Sequence, residues 1–167
     1  MTSYSVGILT LSDKGARGER EDTSGAMLKT LFSGMDEYRV VRYLLIPDDQ
    51  PLIVETLSKW VDDEGIDLIV TTGGTGVSPS DQTPEATKMV IEREVPGIAE
   101  AMRMASLQKT IQAVWSRAIA GIRKESLIVN LPGSEKAARE NIEAVLPALA
   151  HGLYKLKGGQ ADCGVLV

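Results

Sequence analysis

The residues best placed to do chemistry in this chain are carboxylates next to glycine-rich turns. Thr71-Thr72-Gly73-Gly74-Thr75-Gly76 sets three glycines in four positions. Glycines free of Cβ let a loop adopt positive φ and bring successive backbone N–H groups onto one anion. Asp81 follows, just before the Thr83-Pro84 start of a helix. With Thr83 expected as the cap of that helix, Asp81 is left to face a ligand. A second carboxylate pair, Asp48-Asp49, stands between Pro47 and the Pro51 helix start; one of the two is expected to cap the helix and the other to point into a cleft. Mg²⁺ binds through one or two carboxylates plus water and substrate phosphate oxygens. Asp48 and Asp81 beside an anion cradle therefore suit metal-assisted phosphoryl or nucleotidyl transfer. The competing reading is two helix caps and a tight structural turn.

Other segments could join such a site. Ser12-Asp13 closes the first apolar run, and Asn130-Leu131-Pro132-Gly133-Ser134 leads from a strand into a helix, so that a helix N-terminus can meet an anion; capping by Ser134 alone is the alternative. Ser116-Arg117-Ala118-Ile119-Ala120-Gly121-Ile122-Arg123 brings two arginines able to grip phosphate in bidentate fashion. The glycine run is not a Walker loop, because no Gly-Lys-Ser/Thr follows, and it does not fit G-x-G-x-x-G.

Composition removes rival chemistries. The 167 residues hold one histidine, His151, and one cysteine, Cys163, too few for a Cys/His metal site, a disulfide, or His-based nucleophilic catalysis. Both are read as structural. A net charge of −5 with few aromatics argues against nucleic acid as partner. No run approaches the ~18 apolar residues of a membrane span. The first residues enter a strand-like run with no basic, apolar leader, as expected of a cytoplasmic protein. At ~100–200 residues per domain, one domain over 1–167 is expected.

The elements that must hold these residues alternate. Strands are expected at Tyr4–Leu11, Tyr38–Ile46 and Asp67–Thr72, then at Ala118–Arg123 and Leu127–Leu131 joined as a hairpin. Helices are expected from Thr23 with Asp22 as cap, from Leu52 to Glu64, from Thr83, over Ile98–Lys109, and from Ser134 onward with a kink or break at Pro147. Asp62-Asp63-Glu64 and Glu92-Arg93-Glu94 read as solvated helix ends, and Met102 and Met104 as packing or contact residues. This order predicts an α/β fold: three layers, with a mainly parallel sheet and helices on both faces. In such sheets ligands bind outside the carboxyl ends of the strands. Ser12-Asp13, Pro47-Asp48-Asp49, Gly73–Gly76 and Pro132-Gly133-Ser134 would then line one edge.

The ordered set TTGGTG (71–76), SPSDQTPEAT (78–87), SRAIAGIR (116–123) and LIVNLPGS (127–134) resembles the MogA/MoaB family of molybdenum cofactor biosynthesis, including the gephyrin amino-terminal domain and the plant Cnx1 G domain. The resemblance runs over essentially the whole chain. It implies a molybdopterin adenylyltransferase that uses ATP and Mg²⁺: the terminal phosphate of the pterin attacks the α-phosphate and pyrophosphate leaves. Carried over by position, Asp81 and Asp48 are the catalytic and metal-binding aspartates. Ser12, Asp13, Thr72, Gly73, Gly74, Thr75, Gly76, Ser116, Arg117, Ser126, Pro132, Gly133 and Ser134 fall at ligand-cleft positions. The resemblance further implies homotrimers, in some relatives paired into hexamers, and a MoeA-like molybdenum-insertion protein as partner.

One position departs from the pattern. Many relatives carry arginine where this chain has Ser80, and Lys14, Arg17 or Arg123 are the candidates to replace that cation. The departure keeps open a non-catalytic MoaB-like pterin-binding scaffold. A nucleotide pyrophosphatase resembling the CinA amino-terminal domain is a further alternative, against which the intact SRAIAGIR and LPGS segments count.

Overall fold

A computed structural model describes residues 3–160. β1 (Tyr4–Leu11), β2 (Tyr38–Ile46), β3 (Leu68–Thr72) and β6 (Ser126–Leu131) are mutually parallel, in the spatial order β2-β1-β3-β6. The sheet ends in two antiparallel strands, β5 (Ala120–Arg123) and the two-residue β4 (Arg93–Glu94). Every residue of β3 and β6 is buried, which is why the middle of each is apolar, and the buried Asn130 is satisfied by donating to the Thr71 and Thr87 hydroxyls.

Side-chain alternation along the strands builds a core on each face. Val6, Ile8, Leu68, Val70, Leu127 and Val129 face α2 (Thr23–Ser33), α5 (Pro96–Leu107) and α6 (Glu135–Leu156) through Phe32, Met102, Ile142 and Leu149. Leu9, Leu11, Ile69 and Ile128 face α3 (Gln50–Asp62) and α4 (Thr83–Val90) through Ile53, Leu57, Trp60 and Val90. The three-layer α/β architecture is the one the sequence predicts.

Several local expectations are corrected. The expected loop after Ser12 contains a single helical turn, α1 (Asp13–Ala16), capped by the Ser12 hydroxyl. Glu92-Arg93-Glu94 is no helix end: Arg93 and Glu94 pair with β5, and the Glu92 carboxylate accepts from Lys124 N. A 3-10 turn (Ile111–Trp115) separates α5 from β5. Pro147 lies inside α6 without ending it. Met102 is packed in the core, whereas Met104 is exposed. Asp22 caps α2 as expected, its carboxylate accepting from Gly25 N. His151 lies on α6, whereas Cys163 falls outside the described residues.

Candidate active site

The order β2-β1-β3 places a topological switch between β1 and β3, the position where open parallel sheets bind ligands. The four parallel strands deliver their exit loops to one edge. A cleft of about 320 Å³ lies there, lined by Ser12, Asp48, Gly73, Gly74, Asp81, Gly133 and Ser134, together with residues from the start of α2. It brings together both predicted catalytic aspartates.

The glycine loop is shaped by close backbone contacts. Gly73 has φ +104° and Gly74 φ +63°, a region that side chains other than glycine rarely adopt. A Cβ at Gly73 would collide with the Leu11 carbonyl, and one at Gly74 would come within 2.8 Å of Asp48 Oδ1. The loop therefore lies directly on the β1 exit and on the aspartate. Gly73 N–H donates to the Leu131 carbonyl at 3.2 Å, so that amide is engaged within the protein rather than turned to the cleft. The Thr72 hydroxyl donates to Pro132 O at 2.7 Å, tying the β3 and β6 exits together.

Thr83 does not cap α4; the cap position is Gln82, with no side-chain cap bond. Buried Thr83 instead donates its hydroxyl to Gly73 O at 2.9 Å, and its N–H to Gly74 O at 3.1 Å. The threonine fixes the loop from beneath. Of the Asp48-Asp49 pair, Asp49 caps α3 by accepting from Leu52 N, and Asp48 lines the cleft. Asp48 and Asp13 exchange bonds: Asp13 N donates to Asp48 Oδ2 at 3.2 Å, and Asp48 N to Asp13 Oδ1 at 3.0 Å. Asp13 thus acts as a strut for Asp48. Asp48 Oδ1 is buried and has no hydrogen-bond partner. Burial, with the charges of Asp13 and Asp81 adding to it and the Asp13 N–H bond opposing it, raises the Asp48 pKa above the ordinary carboxylate value. A buried acceptor with no donor is costly. A cation would satisfy it, so Asp48 and Asp81 fit a divalent metal; among the described residues no cluster of three or more His, Cys, Asp or Glu offers an all-protein alternative.

Asp81 lines the same cleft, its Oδ2 accepting from Ser78 N at 2.8 Å. Ser134 caps α6, accepting from Ala137 N at 3.2 Å, and Ser24 on α2 donates to Gly133 O at 2.8 Å. Two helix N-termini, those of α2 and α6, are thereby anchored at the rim. A neighbouring cavity of about 310 Å³ shares Gly133 and is lined by Thr75, Gly76, Trp115, Ser116 and Pro132.

Two predicted ligand residues go elsewhere. Ser126 begins β6, at the opposite edge of the sheet from the glycine loop, in a hollow with Asp67, Lys124 and Lys157. A six-residue strand puts it roughly 20 Å from Pro132. Arg117 presents its guanidinium to protein acceptors: Nε donates to Gly76 O and Nη2 to Asp81 O, each at 2.6 Å, and Nη1 pairs with Glu85. Of the three cations proposed to replace the one absent at Ser80, Lys14 stands on α1 beside the Ser12-Asp13 exit, whereas the other two have protein partners. Arg17 pairs with Glu19, and Arg123 with Asp62 and the Val90 carbonyl. Arg20, not singled out in the sequence, lines the cleft with Glu21, Asp22 and Thr23. The available signal was its place in the loop after the first strand exit.

Comparison with known proteins finds relatives along most of the chain. The family described as a probable molybdopterin binding domain matches residues 7–151. A molybdopterin adenylyltransferase of Helicobacter pylori (strain J99) is 43% identical over 155 residues, covering 90% of this chain and 86% of that protein. The Escherichia coli (strain K12) molybdopterin adenylyltransferase is 38% identical over 159 residues, covering 92% and 82%. The crystal structure of the molybdopterin biosynthesis enzyme MoaB from Thermus thermophilus superposes with a TM-score of 0.87 at 52% identity, covering 93% of this chain and 97% of the other. With the match spanning most of its length, this chain belongs to the family of the probable molybdopterin binding domain, the MogA/MoaB family.

Proposed function

We propose that this protein is a molybdopterin adenylyltransferase of molybdenum cofactor biosynthesis, transferring AMP from ATP to the terminal phosphate of molybdopterin with release of pyrophosphate. The observation that carries this reading is Asp48 Oδ1, buried without a partner against Gly74 in a cleft that Asp81 also lines. Binding of molybdopterin alone would not require an uncompensated carboxylate there.

In the reaction an oxygen of the pterin phosphate bonds to the α-phosphorus, and the bond from that phosphorus to the oxygen bridging to the β-phosphate breaks, its electron pair leaving with pyrophosphate. A phosphate monoester has its second pKa near ~6, so the attacking oxygen is already anionic at neutral pH and no residue need take its proton. Asp48 and Asp81 would hold Mg²⁺, which supplies positive charge to the nucleotide phosphates when bound. The N–H groups of Gly74, Thr75 and Gly76 and the N-termini of α2 and α6 orient the phosphates. Arg20 adds a positive charge on a long side chain at the rim. Preorganised donors of this kind typically contribute ~10²–10³ in rate each.

Exposed apolar side chains on α5 and the following turn, with Ile111 70% and Trp115 59% exposed, support self-association; the homotrimer and its pairing into hexamers are taken from the family resemblance. Among the described residues no helix is long and apolar enough to cross a membrane, which is compatible with a cytoplasmic enzyme organised as one domain and handing its product to a MoeA-like insertion protein. Incubation with ATP, Mg²⁺ and molybdopterin is expected to release pyrophosphate in proportion to pterin adenylylated. Tight pterin binding without turnover would instead identify a scaffold, and AMP release from ADP-ribose a pyrophosphatase.

A further inference from the structure

The segment that carries Asp81 is an exposed excursion, Val77–Ser80, between the glycine loop and α4. Its own internal bonds are local: Asp81 N donates to Ser78 O, and Ser78 N to Asp81 Oδ2. They shape the turn but do not say where the turn sits relative to Asp48. Thr83, two residues past Asp81, donates to Gly73 O and Gly74 O and so ties the two ends of the segment together at its base, away from Gly76 and Asp81 themselves. Among the described residues, the hydrogen bonds that reach Gly76 and Asp81 from outside the segment come from Arg117. Its backbone N–H donates to Thr75 O at 2.9 Å, and its guanidinium reaches Gly76 O before the excursion, Asp81 O after it, and Glu85 on α4.

We propose that Arg117, held by Glu85, is a positioning residue that closes the excursion like a clasp and so fixes the Asp81 carboxylate opposite Asp48, without touching substrate. The inference rests on the reading of Asp81 given above. The chemistry of the clasp requires arginine. Three acceptors at different angles need a planar fork with several rigid donors, which an ammonium on a flexible stem cannot reproduce. The engaged Nε, Nη1 and Nη2 also explain why the side chain is not presented to phosphate. The Gly76 and Asp81 carbonyls lie at either end of the excursion, so one side chain sets the width of the loop mouth. Shifts of about 1 Å in a reacting or charge-stabilising group cost on the order of 10²-fold in rate. The clasp therefore predicts a large kinetic effect from a residue that lies behind the loop.

The test is a double-mutant cycle with Arg117→Ala and Asp81→Asn, read by pyrophosphate release and, independently of activity, by hydrogen exchange of the amides from 76 to 82. Arg117→Ala alone is expected to lower kcat by about 10²-fold, with KM for ATP changed less than about threefold, and to speed amide exchange in the loop. In the Asp81→Asn background the same change should cost almost nothing further, because both variants remove one function. Arg117→Lys should resemble Arg117→Ala, and Glu85→Gln should show a weaker version of the same loss. Additive losses, a rise confined to the KM for ATP, or rescue by lysine would assign Arg117 to substrate phosphate and overturn the clasp. Unchanged loop exchange in Arg117→Ala would overturn it as well. Absence of turnover in the parent protein would instead count against the proposed reaction, while the exchange comparison would still decide the clasp.

Discussion

Two aspartates, one buried and one half-buried, sit at opposite edges of the same sheet and are treated in opposite ways. Asp67 precedes β3 at the edge where the parallel strands begin; it accepts from Ser5 N at 2.7 Å, Ser5 Oγ at 2.8 Å and Lys157 Nζ at 2.5 Å. Burial pushes its pKa up, but the Lys157 and Ser5 bonds prevail and hold it below the ordinary carboxylate value. Asp48, at the edge where the strands end, keeps one oxygen without any partner and is raised. Burial pushes both carboxylates the same way, so burial alone does not distinguish them. What differs is completion. The fold finishes its own electrostatics at the structural edge and leaves them unfinished at the cleft, the pattern expected where a ligand completes the set.

The comparison can be broken most forcefully at the cleft. Asp81→Asn should reduce pyrophosphate release by on the order of 10²-fold or more, with the thermal melting temperature nearly unchanged; wild-type rates would remove Asp81 from the chemistry. At the structural edge the loss should be one of stability. Asp67→Ala leaves Ser5 and Lys157 without their acceptor and should cost about 1–3 kcal/mol in denaturant unfolding, with kcat of the folded enzyme preserved.

The two carboxylates should also diverge with pH. A depressed pKa gives Asp67 a stabilising share that is present above its unfolded value and lost as pH falls through the folded one. A raised pKa does the reverse at Asp48: the native state binds the extra proton, so stability falls as pH rises from the ordinary carboxylate value through the folded one. Asp48→Asn should accordingly melt at a higher temperature than the parent at pH 7 while losing activity, and the two curves should converge in acid. A destabilised Asp48→Asn at pH 7 would show that its charge is already compensated. The smallest effect is expected at Ser126, which lies with Asp67 rather than with Asp48. Ser126→Ala should leave KM for ATP within about twofold of the parent, as measured in the same assay.

The cleft was readable from the sequence because its parts lie at strand exits, and parallel pairing of apolar runs sends those exits to one edge. Asp48 and Asp81 could be picked out by proline and glycine neighbours that mark where strands stop. What the sequence could not show depends on contacts between distant segments. Nothing near Arg117 in the chain shows that its acceptors are the carbonyls of Gly76 and Asp81, so an arginine near a glycine loop reads as a phosphate ligand. Thr83 has the composition of a helix cap, yet its hydroxyl turns back onto Gly73 because the loop folds over it. Ser126 was placed by resemblance alone, and the length of β6 carries it to the far edge. β4, two residues long and pairing only with β5, has too little pattern to be seen before the fold exists.

The most direct test of the cation site proposed at Asp48 and Asp81 is calorimetric titration of ATP into the protein with and without Mg²⁺. Mg²⁺ should tighten ATP binding clearly in the parent, while Asp48→Asn and Asp81→Asn should each abolish that dependence even where ATP alone still binds. An equal Mg²⁺ effect in the parent and in both variants would contradict the assignment of these two aspartates to the metal.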